Sequence, residues 1–176
     1  MDTVPWRFIE GVCLRVNRPT LEKSALMPSR WGAESKRTSD KIHLLRVVVN
    51  NRHGKLCAAA QPMWSEDDDN LDVFPTDVHG GFEDFDGVVP LDTVNPRFLT
   101  SFSIYESNGW PPEDSGYQEI TLDHLQRLVH FIRPARRERH PPRWDCRSTS
   151  SMILVHDLKI SAKLLSMRLP VDQLIM

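Results

Sequence analysis

The sequence contains few residues of the kinds that crosslink a chain or let it bend freely. Its 176 residues include only three cysteines, Cys13, Cys57 and Cys146, which are widely spaced and form no Cys-x-x-Cys pair. Such cysteines argue against a disulfide framework and are typical of a reducing compartment. Eight glycines and thirteen prolines indicate interrupted segments rather than long helices.

Long apolar runs are also missing. No stretch approaches the roughly 18 consecutive apolar residues of a membrane span. The opening is not typical of a secretory signal, because Asp2, Arg7 and Glu10 interrupt its apolar residues. We therefore expect a soluble intracellular protein, cytoplasmic or nuclear, that has no membrane partner.

The usual motifs for catalysis and cofactor binding do not occur either. The sequence has no His-Glu-x-x-His, Gly-x-Ser-x-Gly or phosphate-binding glycine pattern. The acidic block 66–72 fails as a calcium loop, because a count from Asp67 puts Asp72 at the sixth position, which needs glycine. We predict no enzyme activity, no metal and no cofactor. A catalytic triad that assembles only through the fold stays open as an alternative.

The net charge of −2 is unevenly distributed along the chain. Residues 56–96 contain ten acidic and no basic side chains, whereas residues 133–147 form a basic cluster. Arginine beside an aromatic ring can contact phosphate and stack on a base. The candidate nucleic-acid contacts are Arg136, Arg137, Arg139 and Arg143. Because the chain as a whole is slightly acidic, nucleic acid is the less favoured partner.

Hydrophobic periodicity predicts helices at the start of the chain and a hairpin after them. Apolar residues at four-residue spacing indicate a helix over 4–16, and a second short helix can occupy 20–27. The β-branched run over 42–49 predicts a strand, and residues 55–60 return beside it after a turn.

The second half of the chain alternates between strand and helix patterns. Residues 98–105 alternate as a strand does, and 121–132 carries a helical apolar stripe that begins at a capping threonine and ends at Pro134. Residues 151–155 suit a strand. Residues 157–169 fit a final helix, and because the same run also alternates, a strand is the alternative.

These elements predict an α+β fold: a twisted antiparallel sheet with one well-defined packing helix and a short N-terminal helix. We divide the chain into a helical segment, 1–30, and a single α+β domain, 31–176.

The opening Met-Asp-Thr-Val-Pro, followed by aromatic, apolar and acidic residues, resembles the start of the nematode-type F-box and F-box-associated families. In F-box proteins, short helices present apolar residues to a Skp-family adaptor, which links them to a ubiquitin ligase. The resemblance implies a helical F-box-like segment and an F-box-associated-like domain that binds a protein target. The implied partner-binding residues are Val4, Pro5, Trp6, Phe8, Ile9 and Val12.

The function implied by this resemblance is that of a non-enzymatic protein-interaction module, linked to recruitment by a ubiquitin ligase. Residues 17–41 lack the leucine-rich second half of a complete F-box. A divergent family member without adaptor binding is therefore one alternative. A small nucleic-acid-associated protein that uses residues 133–147 is another.

Overall fold

The computed structural model describes residues 4–16, 18–50, 52–62, 87–107, 109, 111–112, 114–136, 150–154 and 159–176. The described residues form five α-helices and one sheet of six strands. The helices are α1 Trp6–Cys13, α2 Arg18–Ala25, α3 Arg30–Ser39, α4 Leu122–Arg136 and α5 Lys159–Ser166. The strands are β1 His43–Asn50, β2 Lys55–Pro62, β3 Leu99–Ser107, β4 Gln118–Ile120, β5 Ser151–Ile153 and β6 Gln173–Ile175. The predicted α+β class is confirmed.

The sheet is mixed rather than wholly antiparallel, with the strand order β4-β2-β1-β3-β5-β6. The predicted hairpin is confirmed, because β1 and β2 pair in antiparallel register, and β4 adds to β2 in the same sense. The prediction was wrong for the other half, where β1, β3, β5 and β6 are parallel neighbours. Parallel strands need a crossover connection, and α5 supplies one between β5 and β6. Local turn residues do not reveal such crossovers.

One face of the sheet carries the main hydrophobic core. Alternate residues of β1 and β3 point into it and meet the apolar stripe of α4 and Leu164 of α5. Its largest fully buried side chains include Leu45, Val47, Phe102, Ile104, Leu125 and Ile132. Because strand side chains alternate, Arg46, Val48, Ser103 and Tyr105 lie on the opposite face, which we call the open face.

The packing helix begins as predicted and ends later. The hydroxyl of Thr121 accepts a hydrogen bond from the His124 backbone amide at 3.1 Å, which satisfies a free donor of the first turn. The helix does not end at Pro134 but continues to Arg136. Pro134 removes one backbone donor, and the helix ends two residues after it.

The predicted ambiguity over 157–169 is resolved as the helix α5. The sequence did not indicate β4 or β6, because three residues are too few to show an alternating pattern. Val89 adds a single antiparallel bridge to Ala60 of β2. The acidic block 66–72 lies outside the described residues.

Candidate functional site

Three short helices precede the sheet and pack together around a small apolar cluster of their own. The cluster contains Ile9 and Cys13 of α1, Leu21 of α2, and Ile42 at the start of β1. Trp31 of α3 packs against it from the side. We call α1, α2 and α3 the helical unit.

The sequence did not predict α3, which the structure adds to the helical unit. Hydrophobic periodicity does not detect this helix, because its buried side has no apolar stripe. The buried residues are small, polar or charged: Gly32, Glu34, Ser35, Thr38 and Ser39. Ser29 caps the helix by accepting a hydrogen bond from the Gly32 amide at 3.3 Å. Helical structure therefore continues to Ser39.

Glycine at position 32 allows α3 to approach the end of α2. A Cβ atom at Gly32 would lie 1.9 Å from the carbonyl oxygen of Met27 and 3.1 Å from that of Ser24. Both atoms belong to the backbone and cannot move aside cheaply. The close contact between α2 and α3 thus depends on the absence of a side chain at this residue.

Helix α1 divides the predicted partner-binding residues between two sides. Phe8 is 59% exposed, and Val12, one turn later on the same side of the helix, is half-buried. Pro5 is exposed at the start of this line of side chains. We call Pro5, Phe8 and Val12 the α1 strip. Ile9 is only 1% exposed and packs inside the helical unit, so its side chain is not on the surface that a partner would contact.

The two remaining predicted residues flank the helix start. Val4 is half-buried and packs against the small cluster. Trp6 is 44% exposed, and the guanidinium of Arg7 lies 5.4 Å from its ring centroid. Trp6 therefore adds an exposed aromatic surface beside the α1 strip.

An ion pair connects the helical unit to the chain segment that leads into the sheet. The carboxylate of Glu10 on α1 lies 2.6 Å from the guanidinium of Arg97, which lies two residues before the start of β3. The Glu10 side chain is 3% exposed, and the same oxygen has no aligned hydrogen bond within the described residues. The contact is therefore one of charge proximity, and it neutralises a buried carboxylate.

A second polar site lies on the open face of the sheet. The hydroxyls of Tyr105 and Tyr117 lie 3.3 Å apart. The guanidinium Nε of Arg46 donates to Oε1 of Gln61 at 2.6 Å. Burial raises the pKa of both tyrosines, and the neighbouring phenol raises that of Tyr105 further. Both phenols are therefore neutral at physiological pH.

The strand register shows how the two tyrosines meet. Tyr117 directly precedes β4, and Tyr105 lies on β3, with β2 and β1 between them. Three strand spacings separate the two backbones by about 14 Å. Because the hydroxyls nevertheless lie 3.3 Å apart, the two side chains extend toward each other across the sheet. Cys57 and Ala59 of β2 lie on the same face, and both are small and buried.

Cys57 has the character of a buried thiol. Burial raises its pKa to about 11, and the nearby carboxylate of Glu119 adds to the shift. Cys13 also has a raised pKa, mainly because it is buried, and its sulfur lies 3.5 Å from the hydroxyl of Ser35. Neither thiol has the depressed pKa of a nucleophilic cysteine.

Sequence reasoning missed the open-face site. The alternation of β3 does put Tyr105 and Ser103 on one face, which was a usable signal. Tyr117 belongs to a proline-rich loop with no such pattern, and only the pairing of β4 with β2 brings it near Arg46.

The other predicted features lie apart from these surfaces. Arg136 is the last residue of α4, and Arg137, Arg139 and Arg143 lie outside the described residues. In the described ranges, no three or more histidine, cysteine, aspartate and glutamate side chains come together as a metal site. No α-helix in these ranges has the length and apolar character needed to cross a membrane.

Comparisons with known proteins add no relative. No protein-family model matches the chain, and neither a curated protein nor a solved structure matches it.

Proposed function

We propose that the protein is a non-enzymatic protein-interaction module whose helical unit docks on a Skp-family adaptor. The α1 strip is the observation on which this proposal rests. Groove-binding helices present apolar anchors at intervals of three, four or seven residues, and Phe8 and Val12 have this spacing.

The packing of α1 favours an external role for this strip. Ile9 and Cys13 already anchor the opposite side of α1 in the helical unit. The unit is therefore held together without Phe8, whose ring is largely in water. An exposed aromatic side chain on an ordered helix is a suitable anchor for a partner's apolar pocket.

The link between the helical unit and the sheet supports a delivery role. The Glu10–Arg97 ion pair connects α1 to the residues that lead into β3. Lys41, which follows α3, also lies 5.4 Å from the ring centroid of Phe98. An adaptor bound to α1 would thus be held in a defined position relative to a target bound on the sheet domain.

The experiment that tests this proposal is co-purification of the full chain with a Skp-family adaptor. The variant is Phe8→Ala, and the matched control is Phe131→Ala, which removes a phenylalanine of similar exposure, 55%, from α4. We expect the wild-type chain and the Phe131→Ala variant to retain the adaptor. Phe8→Ala should weaken binding by at least about tenfold, because a central aromatic anchor contributes about 2 kcal/mol or more.

Two results would contradict the proposal. If the folded wild-type chain does not bind the adaptor, the ligase link is wrong and the α1 strip has another role. If adaptor binding persists unchanged in both Phe8→Ala and Val12→Ala, the interface lies elsewhere on the protein.

A further inference from the structure

The open face presents a positive charge on a sheet surface that is otherwise neutral around it. Arg46 lies in the middle of β1 and is flanked across the strands by Ala59 of β2 and Ser103 of β3. Within the described residues, no carboxylate forms an ion pair with Arg46, and its side chain instead donates a hydrogen bond to the neutral amide of Gln61. Lys55 of β2 and Glu119 of β4 neutralise each other at 2.8 Å.

Hydroxyl groups and aromatic rings surround this charge. Ser103 and Ser151 lie on adjacent strands, and their hydroxyls are 3.1 Å apart. On the other side, Tyr105 and Tyr117 form the bonded pair that crosses the sheet. Aromatic rings lower the local dielectric and so strengthen an ion pair formed beside them. The raised pKa values of both phenols mean that neither adds a negative charge.

We propose that the open face around Arg46 binds a carboxylate side chain of an acidic peptide from a protein partner. A guanidinium whose Nε already donates to Gln61 can offer its two terminal nitrogens to the two oxygens of one carboxylate. The hydroxyl of Ser103, which accepts a hydrogen bond from Ser151, can donate its own proton to the same group.

Charge complementarity favours a carboxylate over a phosphate. A single guanidinium matches the single negative charge of a glutamate or aspartate side chain. A phosphorylated side chain carries a charge of about −1.5 to −2 at neutral pH and calls for more than one cation. The open face supplies one unpaired cation within the described residues.

The test is a titration of the isotope-labelled full chain with three peptides whose termini are blocked, and nuclear magnetic resonance monitors the binding. The first peptide is glutamate-rich, the second has glutamine at each glutamate, and the third has phosphoserine there. We expect saturable shifts at residues around Arg46 with the glutamate peptide, and binding weaker by at least about tenfold with the glutamine peptide.

Variants assign the binding to Arg46. Arg46→Gln should weaken binding of the glutamate peptide by at least about tenfold. The affinity of Arg46→Lys should lie between those of the wild-type chain and Arg46→Gln, because lysine keeps the charge but lacks the two parallel N–H donors of a guanidinium. The matched control is Arg127→Gln, which removes an exposed arginine from α4, on the far side of the sheet. Its peptide affinity should equal that of the wild-type chain.

Three results would overturn this inference: equal binding of the glutamate and glutamine peptides, unchanged binding in folded Arg46→Gln, or tighter binding of the phosphoserine peptide. The inference does not depend on adaptor binding. The Phe8→Ala variant should bind the glutamate peptide normally, so the two proposals fail separately.

Discussion

Glu10 and Arg97 form an ion pair between the helical unit and the segment that enters β3, with the carboxylate buried and the guanidinium about half exposed. The two residues are far apart in the sequence, and neither belongs to a recognisable motif. Their contact connects two parts of the fold whose hydrophobic clusters are otherwise separate.

Removal of the Arg97 guanidinium should destabilise the fold, because the Glu10 carboxylate would remain buried. We expect Arg97→Ala to lower the free energy of unfolding by about 1–3 kcal/mol, because Glu10 would stay buried without its counterion. Chemical denaturation measures this change. Arg127→Ala, at an exposed position on α4, should change stability by no more than about 0.5 kcal/mol. An unchanged free energy of unfolding in Arg97→Ala would show that the ion pair does not contribute to stability.

A pair of glycine substitutions separates close packing from helix propensity. Gly32→Ala should lower the free energy of unfolding by about 1–3 kcal/mol, because the new methyl group would overlap the Met27 carbonyl. Gly11→Ala on α1 meets nothing within 4 Å and should stabilise the protein by about 0.5–1 kcal/mol. Thermal or chemical unfolding of both variants provides the comparison. If both raise stability, the contact between α2 and α3 is looser than described.

The two sides of α1 should respond differently to truncation. Phe8→Ala removes a side chain that is mostly in water, so stability should change by about 0.5 kcal/mol or less. Ile9→Ala creates a cavity in the helical unit and should cost about 2–5 kcal/mol. Denaturation curves of the two variants test this contrast. Similar losses in both would place Phe8 in the core and remove the basis for the α1 strip.

The tyrosine pair should make stability fall at alkaline pH. The folded pKa of each phenol lies above its ordinary value of 10.0, so above about pH 10 the unfolded chain releases protons that the folded chain keeps. The contribution of the pair to the free energy of unfolding is therefore constant below pH 10 and decreases as pH rises beyond it.

Phenolate absorbance reports directly on this pair, because the chain has only two tyrosines. Phenolate absorbance of the folded protein should appear well above pH 10, and after denaturation it should appear near the ordinary value. Tyr105→Phe and Tyr117→Phe should each reduce the alkaline loss of stability. Normal titration of both phenols in the folded chain would show that the pair is solvated.

Much of the fold could be predicted from the sequence, because patterns among neighbouring residues indicate its longer helices and strands. The hairpin of β1 and β2 follows from a β-branched run and a turn, and α4 follows from its apolar stripe and the cap at Thr121. The short strands β4 and β6 could not be predicted, since three residues have too little pattern and their pairing depends on distant strands. Helix α3 could not be predicted for a different reason, namely that its buried face is polar and gives no apolar periodicity.

Local patterns are enough to predict the α+β class and the helix that carries the α1 strip, because periodicity and β-propensity act over neighbouring residues. Long-range packing determines which α1 side chains are exposed, which strands run parallel, and that Glu10 contacts Arg97. It also decided that Tyr117 reaches Tyr105 beside Arg46. These are contacts between residues far apart in the chain, and long-range packing fixes them where local preference cannot.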